Sequence, residues 1–384
     1  MSKRISKSLV INGETLVAES AWNAELDAKH NQVVDWLKSQ KLAGVLIRRH
    51  ENLAWLTGGA VEVRVLTPCE TGVSSALVTA EGKRYYFTTE NEAPRMYDEE
   101  FGALDFEPVT FPWYGDDTVA AAAKAAGGPL GSDTAAPGVT AVNLFPLRAS
   151  LGEAEIARYR WLGKQASAAT AESLDQVEPG LTEFGLEAIT SALLLKRGIQ
   201  PSVYLYAVDD RIFKYKHAVP RGARLKKYGM LNLCARKWGL TVSLTRFVHF
   251  GALPADLAER FHASAQVNAA LLDATRVGAT SAELFRVAQS AYAAQGFPGE
   301  EQFHHQGGPT GYWEREWVAT PSGTEAVVNN QAFAWNPSIR GGKAEDTVLL
   351  RDGKIESITV TPGLPVIDGI ANGNHYPTAG VLVK

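Results

Sequence analysis

The Pro179-Gly180 pair stops one long helical run and opens another, and this break is the sharpest local constraint in the chain. The upstream run, SLGEAEIARYRWLGKQASAATAESL, begins where Ser150 can act as an N-cap, with Glu153 three residues on in a capping-box pattern. The downstream run, residues 181–198, is capped near Thr182 and closed by Gly198. Strand-like runs follow, SVYLYAV, GMLNLCARKW and LTVSLTRFVHF, then two helices at about 254–275 and 280–295. Late strands are expected at QAFAW, DTVLL and ITVTP. Strands interleaved with paired helices make residues 151–384 an α+β domain.

Residues 1–150 read as a smaller α/β domain. An amphipathic helix over 21–40 places Val33, Val34, Trp36 and Leu37 on one side, and LAGVLI (42–47) is a short apolar strand. SSALVTA and KRYYFTT flank Glu81-Gly82 as a hairpin. The Ala-rich stretch from Val119 is a short helix ended by Gly127 and Gly128. With 45% apolar and 21% charged residues in a chain of 384, each domain can bury a core. A net charge of -4 gives no electrostatic case for a nucleic-acid partner. The two cysteines, Cys69 and Cys234, lack CxxC or CxxH company, which fits a reducing compartment rather than a disulfide framework or structural zinc. No apolar run approaches the roughly 18 residues of a membrane span, and the basic N-terminus lacks an apolar signal-peptide core. A cytoplasmic location is expected.

Four clusters carry chemistry-bearing residues. His217 lies in KYKHAVPRG. Asn232 and Ser243 sit on neighbouring strand-like runs, with Arg246 after them. The segment FHHQGGPTGYWERE holds His304, His305, Gln306, Arg315 and Glu316, and WNPSIRGGKAEDTVLL holds Asn336, Glu345 and Asp346. The third cluster is the densest: histidines suited to acid–base work near neutral pH, glycines that allow close backbone approach, and an arginine fork matched to a carboxylate. Without further context it reads equally as a loop whose histidines cap nearby carbonyls.

In order and spacing these segments resemble the creatinase/prolidase/aminopeptidase P (M24, pita-bread) family over nearly the whole chain. Pro179-Gly180-Leu181-Thr182-Glu183 is similar to the family's helix entry, and NLAWLTG (Asn52–Gly58) to its Asn-x-x-Tyr-Leu-Thr-Gly. The family's paired aspartates fall at Asn232 and Ser243, with Thr245-Arg246 kept. Its His-x-x-Gly-His-Gly-x-Gly becomes His304 to Gly311, so that the metal-binding histidine is Gly308. A later functional histidine falls at Arg315, followed by Glu316; Glu-Pro-Gly becomes Asn336-Pro337-Ser338, and Glu345-Asp346-Thr347 is intact. The resemblance implies an α+β pita-bread domain over 151–384, preceded by a creatinase-like domain over 1–150.

Four of the five ligand positions are uncharged, so the resemblance implies no dimetal centre, no cofactor and no working Xaa-Pro aminopeptidase. Creatinase is the family's precedent for metal-free cleavage of a C–N bond. By analogy, His217 is the expected general acid/base, with His304 and Glu345 orienting water or His217. Arg315 is expected to bind a substrate carboxylate, alongside His305, Gln306, Asn232, Ser243, Asn336 and Glu316. Arg64 is a second candidate arginine, supplied by a partner subunit in a homodimer. The expected partner is a small carboxylate-bearing molecule, with no nucleic acid and no membrane. The alternatives are a metal-free lyase, dehydratase or isomerase, a non-catalytic binding protein, and a single metal ion on His304, His305 and Glu345.

Overall fold

The structure is a computed structural model and describes residues 5–384. The chain divides into two compact units, Met1–Arg158 and Tyr159–Lys384, a division that falls inside the helix Glu153–Asp175 rather than at residue 150. Ser150 precedes this helix without capping it. The carboxylate of Glu155 turns back instead to accept the Gly152 N–H at 2.7 Å. Among the described residues no helix is long and apolar enough to cross a membrane.

The first unit is built on a mixed six-stranded sheet, in the order Glu107–Phe111, Arg84–Thr89, Thr71–Thr79, Gly44–Arg49, Leu130–Ser132, Thr140–Ala141. The hairpin through Glu81-Gly82 is present, with Ser74 opposite Thr88 and Gly82 at φ 83°. Leu46, Leu77, Phe87, Ala122 and Leu130 form one core cluster, the sheet residues packing against the helix Thr118–Ala126. The helix Glu19–Gln40 buries charged groups as well as Val33 and Leu37. Its Glu25 meets Lys29 at 2.7 Å and Arg158 at 2.6 Å, and Lys29 also meets Glu155 at 2.8 Å. Burial opposes the charge on Glu25, but Lys29 and Arg158 hold its carboxyl down at about 2.

The second unit carries two four-stranded sheets. The first runs Val381–Val383, Leu240–His249, Tyr228–Lys237, Gln200–Val208; the second runs Gly307–Thr310, Gln331–Trp335, Asp346–Arg351, Lys354–Ser357. Tyr228–Lys237 and Leu240–His249 form a hairpin whose turn residues Trp238 and Gly239 both take positive φ, 53° and 78°. The helices Glu183–Leu195, Ala255–Ala274 and Ser281–Ala294 lie where the periodicity places them. Thr182 caps the first, accepting from Gly185 N–H at 3.1 Å.

ITVTP is not a strand: the strand before it ends at Ser357, the Thr359 carbonyl and the Thr361 hydroxyl accept from a buried arginine, and the Thr359 hydroxyl bonds Asp346 and Thr347. That arginine, Arg246, joins the two sheets. Its guanidinium donates to Asp346 Oδ1 (2.5 Å), Thr359 O (2.6 Å), Thr361 Oγ1 (2.7 Å) and the carbonyls of Thr245 (2.7 Å) and Glu345 (3.0 Å). Beside it, Thr347 Oγ1 accepts from Ser243 N–H at 2.7 Å and donates to Ser243 O at 2.9 Å.

Two stability tests follow from these buried charges. Arg246→Met leaves Asp346 buried without its cation and should cost about 3–5 kcal/mol in urea unfolding, while Asp346→Asn added to it should recover part of the loss. In the first unit, burial first and the charges of Arg84 and Lys29 second push His30 down to about 3; burial and Arg64 do the same to His50. The unfolded chain binds protons at these sites below the ordinary 6.5, so stability falls as the pH drops from 6.5 towards 3. Each histidine contributes up to about 1.4 kcal/mol per pH unit across that window. The difference in urea midpoint between pH 7 and pH 5 should shrink in His50→Gln; an unchanged difference contradicts the assignment.

Candidate active site

His217 follows the short helix Asp210–Lys214 on an irregular segment and is exposed. His304 and His305 follow the single turn Glu300–Gln302 and precede the strand Gly307–Thr310. The approach is so close that a Cβ on Gly307 would meet Ala334 O at 2.2 Å, and one on Gly308 would meet Trp317 O at 2.2 Å. No side chain fits at Gly308 on this backbone.

The three histidines converge. His217 Nε2 lies 3.1 Å from His304 Nε2, and the His304 and His305 rings are 4.6 Å apart between centroids. On its other side His304 Nδ1 sits 3.3 Å from Ser338 Oγ, which accepts from Lys216 Nζ at 3.1 Å; Lys216 in turn faces Glu300 at 3.4 Å. Gly307 N–H donates to His305 Nδ1 at 3.3 Å. Gln306 is fully buried. Its amide donates to His304 O at 2.6 Å and accepts from Tyr292 OH at 2.9 Å, so it holds the His304 backbone from within the core.

A second group centres on Glu345. Arg315 donates to its Oε1 at 2.7 Å, while Lys343 (2.7 Å) and Thr245 Oγ1 (2.6 Å) take Oε2. Arg315 also donates to Ser243 Oγ at 2.9 Å and to Glu314 O at 2.6 Å. Strand register explains the grouping. Asn232 pairs with Thr245 and Cys234 with Ser243, so all four share one face of the hairpin, and Cys234 Sγ lies 3.1 Å from Ser243 Oγ. Asn336 is buried, with Oδ1 lacking a hydrogen-bond partner. Glu316 accepts from Trp313 N–H at 3.3 Å within its own turn. Arg64 belongs to the first unit, where Glu62 holds it at 3.1 Å and Thr67 O accepts from it at 3.1 Å.

The electrostatics separate the two groups. Burial opposes charge on Glu345, but Lys343 and Arg315 hold its carboxyl down at about 2. Burial pushes Lys343 below its ordinary value, and Glu345 restores part of the loss. Partial desolvation of the otherwise exposed His217 ring, and then Lys343, lower His217; His305 falls to about 4 by burial and Arg315, and His304 is lowered furthest, by burial and Lys343. At neutral pH the site therefore presents uncharged imidazoles beside a carboxylate shared by two cations.

Lys216, Lys343, Thr245 and Ser338 are contributors that were not among the candidates from sequence. Lys343 had a legible signal, standing two residues before Glu345, as residues on one face of an extended segment do. Lys216 had only its place beside His217.

The model of metallopeptidase family M24 matches residues 157–356, more than half of the chain. The chain belongs to metallopeptidase family M24. No curated protein matches it. Among solved structures, dipeptidase PepE from Mycobacterium ulcerans is similar with a TM-score of 0.72 at 18% identity, over 88% of this chain and 96% of that one. A Xaa-Pro dipeptidase from Bacillus anthracis gives 0.71 at 15%, over 94% and 100%. The N-terminal domain of the FACT complex subunit SPT16 from Cicer arietinum (chickpea) gives 0.60 at 11%, over 88% and 97%. At these identities the structures establish the fold alone. This M24 chain has the mixed α+β pita-bread fold, and it is a homologue of peptidases that are hydrolases.

Removing a cation from the M24 chain's buried carboxylate tests the charge arrangement. Lys343→Met should move the Glu345 carboxyl up from about 2 towards its ordinary 4.5, as read by carboxyl carbon resonances. A lowered carboxyl stabilises the fold above 4.5 and loses that contribution as the pH falls through about 2. The variant should accordingly lose stability at higher pH during acid titration than the parent does.

Proposed function

We propose that this protein is a metal-independent, creatinase-like hydrolase that cleaves a C–N bond in a small carboxylate-bearing molecule, with His217 as general acid/base. The observation that carries the proposal is the state of Glu345. At the position of a family metal ligand, both of its oxygens are occupied by Arg315, Lys343 and Thr245. The other positions, Asn232, Ser243 and Asn336, offer only neutral donors, and Gly308 offers none. This donor set does not fit a pair of divalent ions, which need several anionic or imidazole ligands. Two side-chain cations stand against the one carboxylate instead.

The charges support an anionic substrate, because Arg315 and Lys343 together exceed Glu345 by one positive charge. Arg315 already bonds Glu345 and Ser243, so a substrate carboxylate shares this cationic group rather than meeting an idle fork. Asn336 Oδ1, buried and unpartnered, is suited to accept from a substrate N–H. His217, uncharged and exposed, would take a proton from the attacking water and return it to the leaving nitrogen. Its contact with His304, itself set by Ser338, would fix the ring. A cytoplasmic homodimer, with Arg64 reaching a partner's site, belongs to the same proposal through the resemblance to creatinase.

Kinetics on a panel of N-substituted amino acids test it. His217→Ala should lower kcat about 10²–10⁴-fold and leave ligand affinity within several-fold. Arg315→Leu should cost roughly 2–5 kcal/mol in calorimetric binding of a carboxylate ligand, with Arg315→Lys recovering only part because an ammonium lacks the planar fork. Chelator-treated protein should keep its activity. Substrates that need no carboxylate, or activity lost with chelator and restored by manganese, would overturn the proposal.

A further inference from the structure

We propose that His217, His304 and His305 form a three-imidazole site for a borderline-soft divalent ion such as Zn²⁺ or Co²⁺, and that occupancy of this site inhibits the enzyme. The inhibitory half of the proposal rests on the role given to His217 above; the binding half does not.

The geometry comes first. One ligand nitrogen from each histidine lies within 4.8 Å of the other two. With Zn–N bonds of about 2.0–2.1 Å, two nitrogens on one tetrahedral ion stand roughly 3.4 Å apart. The 3.1 Å separation of His217 Nε2 and His304 Nε2 is already close to that spacing, so the third imidazole supplies most of the closure. Two uncharged imidazoles facing each other share one hydrogen, whereas an ion between them would use both lone pairs.

The supports are those of a built site. His304 Nδ1 is backed by Ser338 Oγ at 3.3 Å, an outer contact that orients a ligating imidazole, and Lys216 holds that serine. The His304 carbonyl is fixed by Gln306 at 2.6 Å. The Gly307 N–H on His305 Nδ1, at 3.3 Å, is a long contact that ligation through Nε2 would loosen.

The donor type sets the ion. Three imidazoles and no free carboxylate suit zinc, cobalt, nickel or copper, and leave magnesium, calcium and manganese without the oxygen ligands they require. The charges set the strength. Lys343, Arg315 and Lys216 repel a dication and are only partly offset by Glu345 and Glu300. Binding should therefore be reversible, and weaker than at a site with a carboxylate ligand. A bound ion takes the His217 lone pair that proton transfer needs.

Metal-stripped full-length protein titrated with Zn²⁺ by calorimetry and with Co²⁺ by visible absorption provides the test. One equivalent should bind, with cobalt bands of nitrogen coordination, and Mn²⁺ and Mg²⁺ should not compete. His304→Gln and His305→Ala should each abolish these signals. His305→Ala, at a half-buried position, is the variant less exposed to misfolding, and circular dichroism checks that both fold. His375→Ala, which removes the exposed His375–Asp368 pair, should leave binding unchanged. Absence of saturable binding, or binding that survives both cluster variants, overturns the site. With a substrate in hand, activity should fall in step with zinc occupancy and return with chelator. Binding at the cluster with activity unchanged or raised would keep the metal site, refute the inhibition and remove His217 from its acid–base role. Absence of binding with chelator-resistant activity would refute the metal site and keep the proposed reaction.

Discussion

The second unit depends on a buried guanidinium. Arg246 bridges the strand Leu240–His249 to the sheet containing Asp346–Arg351, using the side chains of Asp346 and Thr361 and the backbone carbonyls of Thr245, Glu345 and Thr359. Thr347 adds a reciprocal pair of bonds to Ser243 a few residues away. A fully enclosed arginine is tolerable only where its donors are met, and this one is met mainly by groups on the opposing sheet and the segment after it. The consequence is positional. With Asp346 and Thr347 locked across the joint, Glu345 is delivered beside Thr245 and Ser243, and Arg315 can reach Glu345 and Ser243 at once.

That placement gives the site its character. A buried carboxylate must be compensated, and here two side-chain cations and a hydroxyl do so. The same cations, together with burial, keep the nearby histidines uncharged. The cationic cluster and the imidazole cluster are thus one electrostatic unit: positive charge sits on groups that hold Glu345, and lone pairs remain on groups that face solvent or each other. In this M24 chain the strand framework thus carries a compensated carboxylate and three uncharged imidazoles on neighbouring segments.

Much of the architecture was legible beforehand. The hairpin through Glu81-Gly82, the helix opening at Thr182 and the long hairpin of the second unit carry periodicities and turn residues that act over a few residues. The failures are instructive. Ser150 looked like a cap, but Glu155 performs the nearby capping of Gly152. ITVTP has a strand's composition, yet Thr359 and Thr361 are drawn to Arg246. The strands Val366–Ala371 and Asn374–Ala379, interrupted by glycine and proline, gave no apolar alternation to read. Gln306 looked like a ligand contact in a polar loop, and only its burial against Tyr292 shows that it faces inward.

What the sequence by itself determined is the order of the main helices and of the two long hairpins, and the identity of the family, because these reside in local periodicity and in the spacing of short motifs. It also named His217, His304, Arg315 and Glu345 as chemistry-bearing. What only the tertiary structure decided is who touches whom. His217 meets His304 across 87 residues, and Thr245 meets Glu345 across 100. Lys343 and Lys216 became parts of the site only when the chain closed. Charge compensation and desolvation depend on distances through space, and a linear sequence records those only where a local period happens to coincide with them.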